Sequence, residues 1–282
     1  MQVKRSRSKR QLHLSEPSKV ERMIENFGMG EAKEKKVPIC EDVSETQDVC
    51  DQEILSSYQQ LVGQLLYLST TVRPDLGHAA AVLSRHMSKP SKQHWALAKG
   101  VVRYLKGTKD YGILLGDLNE NGPTEISLEG YCDADFATDK ATRRSRTGYL
   151  FLVNGSMIDW RSQLQSTVAT STAEAEYMSL AECVKKALWL RTILAELLGK
   201  APQAIPIHCD NQPALHMAKD LNCVSRTKHI DVRHHFVRER GLRGEMVYMY
   251  CPLEDMLADY LTKVLRPEKF KKVMKQPGVQ EM

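Results

Sequence analysis

One change of hydrophobic period governs the second half of this chain. Ile126 to Ala137, Thr147 to Asn154 and Ser156 to Leu164 read as strand-forming segments, the last two separated by Gly155 alone. They predict three strands in an antiparallel meander. Ser171-Thr172-Ala173-Glu174 then reads as a capping box, Ser171 as N-cap and Glu174 reaching back. Tyr177, Leu180, Ala181, Val184 and Leu188 follow at helical spacing along one face. A strand at Ile205 to Cys209, a short helix from Gln212, a basic helix near Asp231 to Arg240, a strand at Met246 to Tyr250 and a last helix at Leu253 to Val264 complete the pattern. Three strands, helix, strand, helix, strand, helix is a mixed α/β order.

Upstream the period is helical. Leu61, Leu65 and Leu68, then Ala80, Leu83 and Met87, then Trp95, Val102 and Leu105 recur at helical intervals, punctuated by Pro74, Pro90 and Gly107. The first fifty residues are rich in charge, with acids at Glu41, Asp42, Glu45, Asp48 and Asp51. They read as a linker or a loosely packed segment. The whole chain is 282 residues, 27% charged, with net charge +5, too mildly basic to name a nucleic-acid partner by itself. No apolar run approaches the roughly 18–20 residues that cross a bilayer. The basic start MQVKRSRSKR has no apolar core of a secretory signal. Seven cysteines with no C-x-x-C pair favour free thiols and an intracellular, reducing setting, cytoplasm or nucleus.

Four acids fall at notable addresses. Asp133 lies on the first strand, Glu176 in the first turns of the long helix, Asp210 at the end of the fourth strand, and Asp259 on the last helix. Each has an ordinary alternative. Asp210 suits a turn or helix cap, Glu176 complements a helix dipole, and Asp259 reads as a solvated helix residue. Asp133 is harder to dismiss, because an acid in a central strand must be paired or bound. A common site has a plain chemical use. Hard divalent cations take carboxylate oxygens, and two of them roughly 3.5–4 Å apart serve in-line phosphoryl displacement. Without cations, crowded carboxylates repel one another.

The words around these acids carry a resemblance. Tyr131-Cys132-Asp133-Ala134-Asp135-Phe136-Ala137, Arg144-Ser145-Arg146-Thr147-Gly148-Tyr149, Ser171-Thr172-Ala173-Glu174-Ala175-Glu176-Tyr177-Met178, Cys209-Asp210-Asn211-Gln212-Pro213-Ala214 and Leu257-Ala258-Asp259-Tyr260-Leu261-Thr262-Lys263 occur in this order. Together they resemble the ribonuclease H domain of copia-type long-terminal-repeat retrotransposons. Arg10-Gln11-Leu12-His13-Leu14-Ser15 and Phe27-Gly28-Met29 look like the close of the reverse-transcriptase region. Tyr58 to Leu68, Arg73-Pro74-Asp75 and Tyr104-Leu105-Lys106-Gly107-Thr108 look like the helical connection after it. The resemblance implies a tail of the reverse-transcriptase region over 1–55, charged and partly flexible, and a helical connection segment over 56–124. It further implies a ribonuclease H domain over 125–265 and a basic C-terminal tail over 266–282.

The implied fold is a ribonuclease H-like mixed five-stranded sheet flanked by helices, preceded by a small, mainly helical segment. The implied activity is endonucleolytic hydrolysis of the RNA strand of RNA–DNA hybrids with two Mg²⁺, or Mn²⁺ in their place. Asp133, Glu176, Asp210 and Asp259 would be the catalytic, metal-binding acids. Two features depart from a complete enzyme pair. No Tyr-x-Asp-Asp of a polymerase active site occurs, and the loop Cys251-Pro252-Leu253-Glu254-Asp255 lacks the histidine of cellular ribonucleases H. A reverse-transcriptase core, separate or covalently linked, is therefore an expected partner, and a membrane is not. The rival reading is a degenerate or host-retained fragment that binds nucleic acid without cutting it.

Phosphate contacts come from basic and small polar side chains. Arg143, Arg144, Arg146 and Thr147 between the first two strands, Asn211 and Gln212 at a helix start, and Lys228 and His229 are the candidates. The first group reads equally as a solvated hairpin loop. His234 and His235 read as surface or packing residues, and Trp160 and Trp189 as core.

Overall fold

A computed structural model describes residues 1–39, 50–116, 126–200, 202–219 and 231–282, of which 231–234 are described by backbone alone. Among the described residues no helix is long and apolar enough to cross a membrane. The acids Glu41, Asp42, Glu45 and Asp48 lie outside the described residues. The chain divides into two compact units, one formed by Met1–Asp117 with Lys263–Met282, the other by Leu118–Thr262.

The first unit begins with strands β1 (Gln2–Ser6) and β2 (Gln11–Ser15), an antiparallel hairpin, and helix α1 (Pro17–Asn26), which has Pro17 in its first turn. The start of the segment expected to be partly flexible thus forms regular structure, because Val20 and Met23 give α1 a buried face. Asp51, read as one of the linker acids, is the N-cap of α2 (Gln52–Thr71), its carboxylate accepting the Ile54 N–H at 2.9 Å. Leu61, Leu65 and Leu68 line the buried side of α2 as their spacing predicts. Helix α3 (Gly77–Leu83), helix α4 (Lys92–Gly107) and strand β3 (Gly112–Gly116) follow.

The start of α4 is a capping box built with a histidine. Ser91 Oγ accepts the His94 N–H, and His94 Nδ1 accepts the Ser91 N–H at 2.8 Å. Only a neutral imidazole offers that acceptor. Burial, with His86 stacked at 3.8 Å, lowers the His94 pKa to about 4. The folded value lies below the unfolded one, so this stabilisation is present above the ordinary histidine pKa and is lost as pH falls through the lowered one. On the order of 3 kcal/mol should disappear between pH about 6.5 and 4. Urea unfolding across that window should show a weaker pH slope for His94→Gln than for the unaltered chain; equal slopes would remove His94 as the cause.

The second unit holds β4 (Leu128–Asp135), β5 (Arg146–Val153) and β6 (Ser156–Leu164), the expected meander. Asn154 and Gly155 both have positive φ, giving the two-residue turn between β5 and β6. Helix α5 (Thr172–Leu198), β7 (Ile205–Cys209), α6 (Gln212–Lys219), α7 (Asp231–Leu242) and β8 (Met246–Tyr250) come next. The sheet runs β6-β5-β4-β7-β8; β4, β5 and β6 are mutually antiparallel, while β7 pairs parallel with β4 and with β8. This is the ribonuclease H-like mixed five-stranded sheet that the resemblance implied.

Ser171 caps α5 through its bond from the Glu174 N–H at 3.1 Å, but the Glu174 carboxylate binds the Thr170 N–H and hydroxyl rather than returning to Ser171. Tyr177, Leu180, Ala181 and Val184 are fully buried with Phe151 and Ile207 in the core between α5 and the sheet. Each large apolar side chain so buried contributes about 1.5–3 kcal/mol. Trp160 is half-buried. Trp189, expected in the core, is 54% exposed, with Lys186 Nζ 4.1 Å from its ring centroid. It lies one helical step outside the buried line.

The last helix expected over Leu253 to Val264 is a short 3₁₀ helix, Leu257–Leu261. The closing segment then belongs to the first unit. Residues 266–282, the expected basic C-terminal tail, form α8 (Pro267–Lys275) and β9 (Val279–Gln280), which pairs antiparallel with β3. Phe270, Val273 and Met274 give α8 its buried face beneath the lysines.

Candidate active site

The register of two neighbouring strands creates this site. Tyr131 of β4 pairs with His208 of the parallel β7. Two residues beyond that pair stand Asp133, still on β4, and Asp210, just past the end of β7. Asp133 is fully buried and Asp210 is half-buried at the turn after β7. The 3₁₀ helix, packed against β4 and β5, adds the fully buried Asp259. One potential ligand atom from each of Asp133, Asp210 and Asp259 lies within 4.8 Å of the others. Glu176, buried in the first turns of α5, makes a second such group with Asp210 and the Cys209 thiol. Asp210 is common to both groups.

The donor set discriminates between metals. Hydrogen bonding with Cys132, followed by burial, pushes the Cys209 thiol well above its ordinary pKa, and Cys132 is raised chiefly by its bond with Cys183. Across the two groups that one thiol, Cys209, stands beside four carboxylates. What remains is a set of hard carboxylate oxygens, which fits a hard divalent cation.

Close packing brings the acids together. The Thr262 hydroxyl donates to Asp133 Oδ2, and Ser179 Oγ donates to the Asp133 carbonyl at 2.8 Å. A Cβ on Gly148 would stand 2.6 Å from Thr262 Cγ2, so glycine is what lets that segment lie against β5. None of these three residues was singled out from sequence. The available signal was a hydroxyl three residues after Glu176 and again after Asp259.

The candidate phosphate contacts separate. Arg143 is exposed, with φ of 57°, and Arg144 is half-buried, donating to Thr142 Oγ1 at 3.1 Å. Arg146 and Thr147 are buried, because β5 already begins at Arg146. They are not available as loop contacts. Asn211 Oδ1 accepts the Ala214 N–H at 2.9 Å and so caps α6, while Gln212 is exposed in the first turn. His235 is exposed. Lys228 and His229 lie outside the described residues, as does the side chain of His234.

No family model matches the chain. It is 37% identical over 277 residues to the "Retrovirus-related Pol polyprotein from transposon TNT 1-94" of Nicotiana tabacum, covering 96% of this chain and 20% of that protein. It is 37% identical over 224 residues to the corresponding polyprotein from transposon RE2 of Arabidopsis thaliana, covering 79% of this chain and 15% of that protein. The chain thus spans a fifth or less of these relatives. Among solved structures, an LC11-RNase H1 in complex with an RNA/DNA hybrid is similar at TM-score 0.38 and 14% identity, over 53% of this chain and 100% of that one.

Proposed function

This chain belongs to the copia-type retrovirus-related Pol polyproteins, and from that premise we propose that its second unit is a ribonuclease H. It would hydrolyse the RNA strand of an RNA–DNA hybrid at internal phosphodiesters, leaving 5′-phosphate and 3′-OH ends. The observation that carries this reading is the grouping of Asp133, Asp210 and Asp259, the first two beside the parallel pairing of β4 and β7 in a ribonuclease H-like sheet. Those three acids, with Glu176, would hold Mg²⁺ or Mn²⁺, which supplies an acidified water and charge neutralisation at the scissile phosphate.

The chain's own residues do the rest. Asp133 and Asp259 are buried in packed elements, which would hold their carboxylates in place as substrate arrives. Asp210 stands half-exposed at the turn before α6, the member of the set nearest to solvent. Arg143 and Gln212 are exposed and suit phosphate contacts; Asn211 does so only through the backbone N–H groups of the helix start it caps. Without a Tyr-x-Asp-Asp motif, a reverse-transcriptase core supplied separately or in the same polyprotein would provide the hybrid. The setting would be intracellular.

The test is cleavage of an RNA–DNA hybrid labelled on either strand, with Mg²⁺ or with EDTA, beside single-stranded RNA and duplex DNA. Cutting should be confined to the RNA of the hybrid and should require metal. No metal-dependent cleavage by the unaltered chain would overturn the enzyme reading.

A further inference from the structure

The elements that carry Glu176 and Asp259 each bring a hydroxyl to Asp133. Ser179 lies one helical turn beyond Glu176 on α5, and Thr262 lies at the corresponding distance beyond Asp259. Both are fully buried. Ser179 Oγ donates to the Asp133 main-chain carbonyl at 2.8 Å, with the Gly148 carbonyl further away at 3.4 Å. Thr262 Oγ1 lies against Asp133 Oδ2 and also 3.1 Å from the Asp259 carbonyl. A hydroxyl has one proton to give, and an ionised carboxylate is a stronger acceptor than a peptide carbonyl. The Thr262 proton therefore goes to Asp133.

We propose that Thr262 is a positioning residue that sets the rotation of the Asp133 carboxylate for divalent-cation binding, while Ser179 fixes the backbone that carries it. The proposal rests on reading the acid trio as a metal centre. A hydroxyl suits this task where an amine would not. A lysine would orient the carboxylate equally well, but its charge would compete with the cation for the same oxygens. A neutral donor fixes the group and leaves its charge available. Gly148 is part of the device, since an added Cβ would meet Thr262 Cγ2 at 2.6 Å and Leu261 Cβ at 3.0 Å.

Mn²⁺ binding to the full chain, read from the electron paramagnetic resonance signal of free ion without substrate, tests this directly. Thr262→Val should weaken binding about tenfold, within the range for residues that orient a metal ligand, and Thr262→Ser should restore it. In the cleavage assay Thr262→Val should raise the Mg²⁺ concentration at half-saturation by a similar factor, more than it lowers the rate at saturating metal. Gly148→Ala should reproduce the weakened binding with the Thr262 hydroxyl still present, and so holds if the valine variant does not fold. Unchanged Mn²⁺ affinity in both variants, or no restoration by serine, overturns the proposal. If Asp133→Asn also leaves the affinity unchanged, the metal-centre reading falls with it; if that variant loses binding while Thr262→Val keeps it, only the positioning role falls.

Discussion

Asp210→Asn is expected to lower metal-dependent cleavage of hybrid by about a hundred- to a thousandfold while raising the melting temperature of the metal-free chain. Both effects have one cause. Asp210 is the member shared by the two ligand groups, so its replacement removes an anionic oxygen from each. Amide oxygen is a poor substitute for carboxylate toward a hard cation. Without cations, the same carboxylate is a liability. Two unit charges at the 4.8 Å bound of this cluster repel by about 3 kcal/mol at an effective dielectric constant of about 20. Asparagine is nearly isosteric and ends that repulsion. Asp133→Asn should lose activity as severely but gain less stability, because its carboxylate also accepts the Thr262 hydroxyl. The measurements are initial cleavage rates at saturating Mg²⁺ and thermal unfolding in EDTA. Activity within tenfold of the unaltered chain in both variants would show that the acids are not the site. A lower melting temperature for Asp210→Asn would show that Asp210 holds the fold rather than a metal.

The addresses of these acids were legible in the sequence, while the contacts that orient them were not. Strand alternation, the Asn154-Gly155 turn and the Ser171 cap are local signals, each set by a few adjacent residues. They placed Asp133 on the first strand and Asp210 at the end of the fourth, two strands that the sheet makes neighbours. Thr262 meets Asp133 across 129 positions, and no local pattern announces such a pair. Arg146 and Thr147 were misread for a related reason: a basic cluster looks like a loop until the pairing of Arg146 with both Asp135 and Leu164 puts it inside the sheet. In residues 266–282 the lysines masked a readable signal. Phe270, Val273 and Met274 have helical spacing, but the pairing of β9 with β3 joins Ile113 to Val279 across 166 positions.

Asp75→Asn should destabilise the first unit by about 3–5 kcal/mol, the cost of leaving a buried charge without its counter-ion. Arg73 and Asp75 are both 1% exposed. Arg73 Nη2 lies 2.6 Å from Asp75 Oδ2, and its Nε is 3.0 Å from Oδ1, a two-pronged contact. The other face of the guanidinium is engaged as well, Nη1 donating to the Thr108 carbonyl at 2.9 Å and Nη2 to its hydroxyl at 2.8 Å. Tyr104 completes the shell by donating to Asp75 Oδ2 at 2.8 Å. Asparagine keeps the size of the side chain but removes its charge, and its amide group turns N–H donors toward other donors. Arg73 cannot shed its proton to escape. Removing both charges should cost less than removing one, so Arg73→Met with Asp75→Leu should be more stable than Asp75→Asn alone, despite the lost bonds to Thr108. Urea unfolding followed by tryptophan emission, with Mn²⁺ binding as the marker that the second unit stays folded, separates these cases. A loss under about 1 kcal/mol for Asp75→Asn would mean that water reaches Arg73 and that the pair is not sealed. A double variant weaker than the single one would mean that the Thr108 bonds, and not the charge pair, tie the end of α4 to the turn after α2.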